Sequence, residues 1–286
     1  MSANLDVGCH LNVVAPDASP EHLPELLAGL ADIGFRRLVL PPLNPERTDV
    51  PRLRAMLLDH GLTPIAFAGL PPGGDVSSPD PAERTAGVRA LRAALDFAVS
   101  LGSDQLNGVP YGLFGPPAGP TDRAAFERSA AEVGRVADEA RERGVLMSFE
   151  VLNRYETSLV NTAAQAVEYV AMSGSNSLRV HLDTFHMSVE ETDLAAAISL
   201  ALPWLGYLEL GQSGRGSLSS GLIDNQALVA HALDIGYLGR FGVEAFSRSI
   251  LTAEDSALRF IWREPFTDGL GVASEGMTLI RAAAER

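Results

Sequence analysis

Two stretches of the sequence, VLMSFEVLN at residues 145–153 and LRVHLDTFH at residues 178–186, decide the fold class. Each is a short apolar run of the kind that forms a buried strand, and each carries a carboxylate, Glu150 or Asp183. Between them, a run that begins near Thr162 has the apolar spacing of an amphipathic helix. A strand, a helix and a second strand in this order are typical of a parallel β/α unit.

The same alternation extends in both directions from this unit. Helices are predicted from about Pro20 with Ser19 as the N-cap, over 50–60, 82–101 and 123–143, from Thr162, before the seventh strand and from about Ala253. Strands are predicted at residues 7–14, 36–42, 63–70, 104–110, 145–153, 178–186, 205–212 and 241–246. Eight such units in 286 residues predict an α/β protein, a (β/α)8 TIM barrel in which residues 1–286 form a single domain. An open doubly wound sheet is the main alternative, but its glycine-rich dinucleotide turn follows no predicted strand.

Composition limits the classes of partner. The formal net charge is −14, so phosphate backbones and anionic lipid surfaces are poorly matched to this chain, and we expect neither nucleic acid nor membrane as a partner. The longest uncharged apolar stretch, residues 194–208, contains Pro203 and is shorter than the ~20 residues of a membrane span. Without a recognisable secretion signal, the sequence predicts a cytoplasmic enzyme. The one cysteine, Cys9, excludes an internal disulfide, and its apolar surroundings favour a buried structural thiol over a nucleophile.

Four carboxylates occupy corresponding positions near the ends of the later predicted strands. They are Glu150, Asp183, Glu209 and Glu244, about one β/α unit apart. In a barrel the carboxyl ends of the strands meet at one mouth, so we expect the four charges to converge and repel each other. A divalent cation relieves this repulsion, and oxygen ligands suit Mn²⁺ or Mg²⁺ better than zinc. For any one of these residues, a surface or helix-capping role is the alternative.

Three stretches carry a family resemblance: EVLNRYETSLVNTAAQAVEYV from Glu150, HLDTFHMSVEE from His181 and GLPPGGDVSSPDPAERTAGV from Gly69. They resemble the D-tagatose 3-epimerase and D-psicose (allulose) 3-epimerase group of the xylose isomerase-like barrel superfamily, often called sugar phosphate isomerases/epimerases. The resemblance implies an enzyme that binds a small-molecule sugar and a divalent metal, with Mn²⁺ favoured and Mg²⁺ or Co²⁺ as alternatives. We expect a homodimer or a homotetramer.

The resemblance also implies roles for individual residues. Glu150, Asp183 and Glu244 match three of the family's metal ligands, and Glu150 and Glu244 are implied as an acid/base pair on opposite faces of the reacting carbon. Glu156 of the NRYE motif and His186 of DTFHM match residues that contact the oxygens of the sugar. Proton abstraction beside a ketone then proceeds through a cis-enediolate that the metal stabilises.

Further residues complete the predicted site. Arg215, after strand seven, matches an arginine of the family and is expected to neutralise charge at the rim. Tyr111 and Phe114, in the loop after strand four, are expected to wall the sugar pocket, with simple packing as the alternative. Arg154 is interpreted as the structural partner of a carboxylate, and His181 as a structural histidine on strand six.

The chain departs from the family pattern at strand seven. A family segment like GHLHTGE is replaced by GYLELGQ, which puts Glu209 at the position of the metal-binding histidine, and the following loop SGRGSLSSG also differs. Four carboxylates make the site more negative and the metal less Lewis acidic. The sequence leaves three readings open: an altered reaction, a different mode of metal binding, or a loss of catalysis.

Three functions are therefore compared. The leading one is a metal-dependent ketose 3-epimerase or a closely related sugar isomerase. The second is a lyase of the same superfamily, such as a keto-inositol dehydratase or a C-glycoside deglycosidase subunit acting on a 3-keto sugar. The third is a non-catalytic partner subunit, which the four retained residues Glu150, Asp183, His186 and Glu244 disfavour. A nuclease of the same fold is disfavoured by six histidines in all and by the negative charge.

Overall fold

A closed barrel of parallel strands is the central feature of the fold. The computed structural model describes residues 5–19 and 23–285. In this part of the chain the strands are β1 (Val7–His10), β2 (Arg37–Val39), β3 (Thr63–Ala68), β4 (Gln105–Gly108), β5 (Leu146–Glu150), β6 (Arg179–Asp183), β7 (Leu205–Leu210) and β8 (Arg240–Val243). They follow one another around the barrel in chain order. The predicted (β/α)8 class is confirmed, and the open-sheet alternative is wrong.

Helices connect successive strands. Within the described residues they are α1 (Leu23–Ile33), α2 (Val50–Asp59), α3 (Pro81–Leu101), α4 (Arg123–Glu142), α5 (Ala163–Ser173), α6 (Thr184–Glu190), α7 (Leu194–Ala201), α8 (Asn225–Asp234), α9 (Ala253–Leu258) and α10 (Gly269–Ala284), with short 3₁₀ turns at Leu11–Val13 and Leu202–Trp204. Most begin at an aspartate whose carboxylate accepts a first-turn backbone N–H, a donor that the helix itself leaves unpaired. The predicted start of the first helix at Pro20 lies outside the described residues.

The chain divides into two compact units. We call residues 1–64 with 208–286 the first unit and residues 65–207 the second unit. In the first unit β1 pairs in parallel with β2 and with β8, and α10 packs against α1 and α8. In the second unit β3, β4, β5 and β6 pair in parallel in that order, and α4 packs against α3 and α5. The interpretation of residues 1–286 as a single domain stays a prediction.

Alternation along β5 fixes the direction of Glu150 in the second unit. Phe149 packs against the buried rings of Tyr111 and Tyr169, at centroid distances of 6.0 and 4.9 Å. Ser148 lies on the opposite face, where its hydroxyl donates to Asn107 of β4 at 2.8 Å. Because residues two apart in a strand share a face, Glu150 lies on the polar face with Ser148 and away from the aromatic layer.

All eight predicted strands end earlier than the sequence suggested, and in two of them a side chain turns the backbone. After β1, Nδ1 of His10 accepts the backbone N–H of Asn12 at 3.2 Å, which starts a 3₁₀ turn in place of the predicted strand end. After β6, Oδ1 of Asp183 accepts the backbone N–H of Phe185 at 2.6 Å and caps α6. His186 therefore lies on the first turn of a helix and not on a strand end.

Candidate active site

Two carboxylates and an imidazole meet at the ends of β5 and β6 in the second unit. Glu150, Asp183 and His186 are all buried, and one ligand atom of each lies within 4.8 Å of the others. Nε2 of His186 is 3.4 Å from Oε1 of Glu150 and 3.9 Å from Oδ2 of Asp183. The group can hold a metal ion or bind a polar ligand, since it concentrates negative charge away from water.

Asn153, just after β5, fixes the orientation of this imidazole. Its backbone N–H donates to Nδ1 of His186 at 3.1 Å, and its side-chain amide donates to the same nitrogen at 2.8 Å. Because a backbone N–H can only donate, Nδ1 accepts, and the proton of the neutral ring is assigned to Nε2. His186 thus points an N–H at Glu150 and Asp183, which suits it to donate a hydrogen bond.

The same amide also holds Glu156. Nδ2 of Asn153 donates to Oε1 of Glu156 at 3.0 Å, while its Oδ1 accepts the backbone N–H of Tyr155 at 2.9 Å. Glu156 is half-buried. The structure therefore groups Glu156 with His186 through one buried asparagine, and both predicted substrate contacts share this support.

Tyr111 lies behind Glu150 in the second unit. Its ring is fully buried in the aromatic layer, and its hydroxyl donates to the backbone carbonyl of Glu150 at 2.8 Å. Burial, with the nearby charge of Glu150, raises the pKa of Tyr111 well above its usual range, so the hydroxyl keeps its proton. These contacts favour the packing alternative for Tyr111, and its role as a wall of the sugar pocket stays a prediction. Phe114, in the same loop, is exposed.

Two structural interpretations of the sequence fit the contacts in the second unit. Arg154 forms a forked ion pair with Glu190 of α6, through Nε and Nη2 at 2.8–3.1 Å. His181 is buried, and its ring packs edge-on against Tyr207 at 4.8 Å. Arg154 consequently ties the NRYE loop to α6, on which His186 lies.

The first unit contributes its own acidic group at the ends of β7 and β8. Glu209 and Glu244 are buried, and the backbone N–H of Glu244 donates to the carbonyl of Leu210 at 3.0 Å. Burial, and then the charge of Glu244, raises the pKa of Glu209 well above its ordinary value, while Arg215 opposes the shift. Cys9 on β1 is buried as predicted, and burial followed by the charge of Glu209 raises its pKa.

Arg215 is the cation of this group. Its Nη1 pairs with Oε2 of Glu244, and its guanidinium lies over the ring of Phe246 at 5.0 Å. The guanidinium of Arg259 lies 5.6 Å from the same ring. The first unit thus places two buried carboxylates near one guanidinium, an arrangement that suits a bound cation.

The predicted site residues therefore form two groups. The second unit brings together Glu150, Asp183, His186 and Glu156, with Tyr111 behind them, and the first unit brings together Glu209, Glu244 and Arg215. Sequence reasoning missed Asn153 and Phe246. Asn153 stood inside the NRYE motif and Phe246 at the end of the predicted strand eight, so their positions were a signal that was not used.

The sequence matches the Xylose isomerase-like TIM barrel family over residues 27–272. A ketose 3-epimerase of Arthrobacter globiformis is 34% identical, over 97% of this chain and 96% of that protein. An L-ribulose 3-epimerase of Mesorhizobium japonicum is 32% identical, over 98% of this chain and 94% of that protein. The crystal structure of a D-allulose 3-epimerase from Methylomonas sp. matches with a TM-score of 0.92, at 33% identity and 98% coverage of both chains.

The chain belongs to the xylose isomerase-like TIM barrel family. The relatives named above are epimerases, which confirms the prediction of an enzyme of the isomerase and epimerase class. Among the described residues no helix is both long enough and apolar enough to cross a membrane.

Proposed function

We propose that the protein is a metal-dependent ketose 3-epimerase, or a closely related sugar isomerase, that works by proton abstraction through a cis-enediolate. The observation that carries the proposal is the group in which Glu150 and Asp183 face the oriented N–H of His186. A base, a charge-binding carboxylate and a hydrogen-bond donor at one point are what proton abstraction beside a carbonyl requires. The ketose 3-epimerases that match nearly the whole chain support it.

A divalent metal fits the chemistry of the donor set. In the second unit Glu150 and Asp183 are buried beside a neutral imidazole, and in the first unit Glu209 and Glu244 share one arginine. We propose these four carboxylates as the metal ligands, with Mn²⁺ favoured and Mg²⁺ or Co²⁺ as alternatives. When bound, such an ion polarises a carbonyl and stabilises negative charge on the neighbouring oxygen.

The acid/base roles fall to Glu150 and Glu244. One carboxylate removes the proton from the carbon beside the ketone, and the other returns a proton to the opposite face, which inverts that centre. Asn153 holds His186 and Glu156, which we propose to orient the sugar oxygens as donor and acceptor. Arg215 pairs with Glu244 and supplies positive charge next to that carboxylate.

Glu209 is the proposed ligand that departs from the family pattern. If it binds the metal, the E209H substitution keeps or strengthens metal affinity, because imidazole is a good ligand for Mn²⁺ and Co²⁺ and removes one buried charge. Isothermal titration of the metal-free protein with MnCl₂ measures this affinity. An affinity and a Mn²⁺ EPR spectrum that are both unchanged mean that Glu209 does not contact the metal.

Proton exchange from solvent tests the reaction itself. The protein is loaded with Mn²⁺ and incubated in D₂O with D-allulose, L-ribulose and related free ketoses, and deuterium at C3 is followed by NMR. We expect incorporation together with a C3 epimer, and about one metal ion per chain by elemental analysis. A metal-free protein that is insensitive to chelator, or the absence of exchange with every ketose, contradicts the proposal.

The lyase alternative gives a different product in the same experiment. A dehydratase or a deglycosidase acting on a 3-keto sugar releases water or an aglycone and leaves a new unsaturated or cleaved sugar. The sequence contains no lysine, so a lyase that forms a Schiff base through lysine is excluded. A non-catalytic partner subunit shows neither exchange nor product.

The assembly and the location stay expectations under this proposal. A homodimer or homotetramer is measured directly by size-exclusion chromatography with light scattering. A cytoplasmic location is measured by fractionating cells that express the tagged chain.

A further inference from the structure

A buried glutamine organises the loop after β7 in the first unit. Gln212 is 1% exposed, and its side-chain amide makes four hydrogen bonds. Nε2 donates to the carbonyls of Leu218 and Ile223 at 3.0 Å each. Oε1 accepts the backbone N–H groups of Ser213 at 2.8 Å and Ile223 at 3.0 Å. One side chain therefore closes the loop, from its first residue to its last.

Arg215 lies inside this closed loop in a backbone conformation that arginine rarely adopts. Its φ is 58°, in the left-handed region that favours glycine. The backbone N–H of Arg215 donates to the carbonyl of Gln212 at 2.7 Å, and its carbonyl accepts the N–H of Phe246 at 2.7 Å. Such a conformation persists only where the surroundings impose it, and it is typical of functional positions.

The second anchor of the loop lies beyond Arg215. Glu275 of α10 accepts the hydroxyl of Ser217 at 2.5 Å and the backbone N–H of Ser219 at 2.8 Å. These two hydrogen bonds hold residues 217 and 219, which follow Arg215 in the loop. The hydrogen bonds of Gln212 therefore enclose the segment that contains Arg215, and Glu275 holds the later part of the loop.

We propose that Gln212 is a positioning residue, whose amide holds Arg215 in the conformation that places its guanidinium against Glu244 and Phe246. This inference rests on the proposed function, in which Arg215 and Glu244 belong to the reaction centre. The amide is needed because it donates two hydrogen bonds and accepts two. A carboxylate of the same shape accepts only and would face two carbonyl oxygens.

A double-mutant cycle tests the proposal in the full-length, Mn²⁺-loaded protein with D-allulose as the probe. Q212E keeps the shape and removes the two donated hydrogen bonds. We expect kcat/KM to fall on the order of tenfold to a hundredfold, since a misplacement of about 1 Å at a reaction centre costs up to about 10² in rate. In the R215A background the same substitution should change kcat/KM less than about twofold, because the group that Gln212 positions is gone. Equal losses in both backgrounds overturn the proposal.

Hydrogen exchange supplies a readout that does not depend on activity. In Q212E the amides of residues 213–216 should exchange faster, whereas L222A, at an exposed tip of the same loop, should leave both their exchange and the activity unchanged. If the wild type epimerises no ketose, the proposed function fails and the exchange result decides this inference alone. Unchanged exchange in Q212E overturns it.

Discussion

In the first unit, the carboxylates at the amino ends of the strands and those at the carboxyl ends differ in their ion pairs and in their burial. At the amino ends, Asp6 lies between two arginines: Nε of Arg37 on β2 at 2.7 Å and Nε of Arg240 on β8 at 3.1 Å. At the carboxyl ends, Glu209 and Glu244 share the single guanidinium of Arg215. Asp6 is also half-exposed to water, whereas Glu209 and Glu244 are buried.

The difference separates a stabilising contact from a functional one. At the amino ends the protein supplies more positive than negative charge, and the contact joins three neighbouring strands. At the carboxyl ends two carboxylates are buried near each other, which costs free energy that a bound cation relieves. In barrels of this kind the amino ends serve stability and the carboxyl ends carry the chemistry.

The largest effect should come from the carboxyl end. E244Q removes a proposed base or acid without changing the size of the side chain, and we expect kcat to fall by roughly 10²–10⁴-fold, the usual contribution of a general acid or base. Ketose turnover and the melting temperature are measured together. D6N is the matched control at the amino end and should keep kcat. Loss of activity in D6N equal to that in E244Q breaks the comparison.

The amino end should respond in stability instead. D6A removes the carboxylate that pairs with Arg37, which is nearly buried, and with Arg240, and we expect a loss of about 1–3 kcal/mol. For a chain of this length each kcal/mol lowers the melting temperature by roughly 2–4 °C. Thermal unfolding of D6A measures this shift, and E244Q in the same buffer provides the contrast. An unchanged melting temperature in D6A removes the stabilising role.

Removal of the Glu209 charge should raise the stability of the protein, whereas removal of the Asp6 charge lowers it. Folding raises its pKa above the ordinary 4.5, so this carboxyl costs no stability below that pH and costs progressively more as the pH rises through the folded pKa. At neutral pH the metal-free E209Q should therefore be more stable than the metal-free wild type, by about 1–2 kcal/mol. The gain should vanish near pH 4. Melting curves from pH 4 to 8, with and without MnCl₂, test this, and a destabilised E209Q contradicts it.

The smallest effect should come from Tyr111, whose hydroxyl donates to the backbone carbonyl of Glu150. Y111F removes the hydrogen bond to the backbone carbonyl of Glu150 and keeps the ring in the aromatic layer. We expect a loss of about 0.5–1 kcal/mol in unfolding free energy and a modest fall in kcat with little change in KM. Y155F, at an exposed tyrosine of the neighbouring loop, is the control. A large rise in KM would instead support a role for Tyr111 as a wall of the sugar pocket.

Much of the fold was predictable because apolar periodicity is a local property. The strands ending at Glu150 and Asp183 were found from four apolar residues before the first carboxylate and three before the second, and their alternation with helices gave the barrel. The predicted strands ran past their observed ends, and at His10 and Asp183 the cause is a side chain that captures a backbone N–H. Such capture depends on the rotamer of a single residue, which the apolar pattern does not encode.

The sequence predicted the acidic residues of the candidate site. It did not predict the residues that hold the site residues in place. Four carboxylates stand out because a charge directly after an apolar run is rare. Asn153, Phe246 and Gln212 are ordinary in sequence and matter through what they contact. For Tyr111 the sequence left a pocket wall and simple packing both open, since a loop residue has no periodicity to fix its direction.

The sequence by itself determined the barrel, the acidic strand ends and the replacement of a histidine by Glu209. The barrel and the acidic strand ends follow from residue type and spacing along the chain, and the replaced histidine follows from the resemblance to the epimerase group. Only the tertiary structure decided which nitrogen of His186 carries the proton, which cation faces Glu244, and how Arg215 is held at a φ of 58°. Each of these depends on hydrogen bonds between residues 3 to 33 positions apart, and such partners are brought together only by the folded chain.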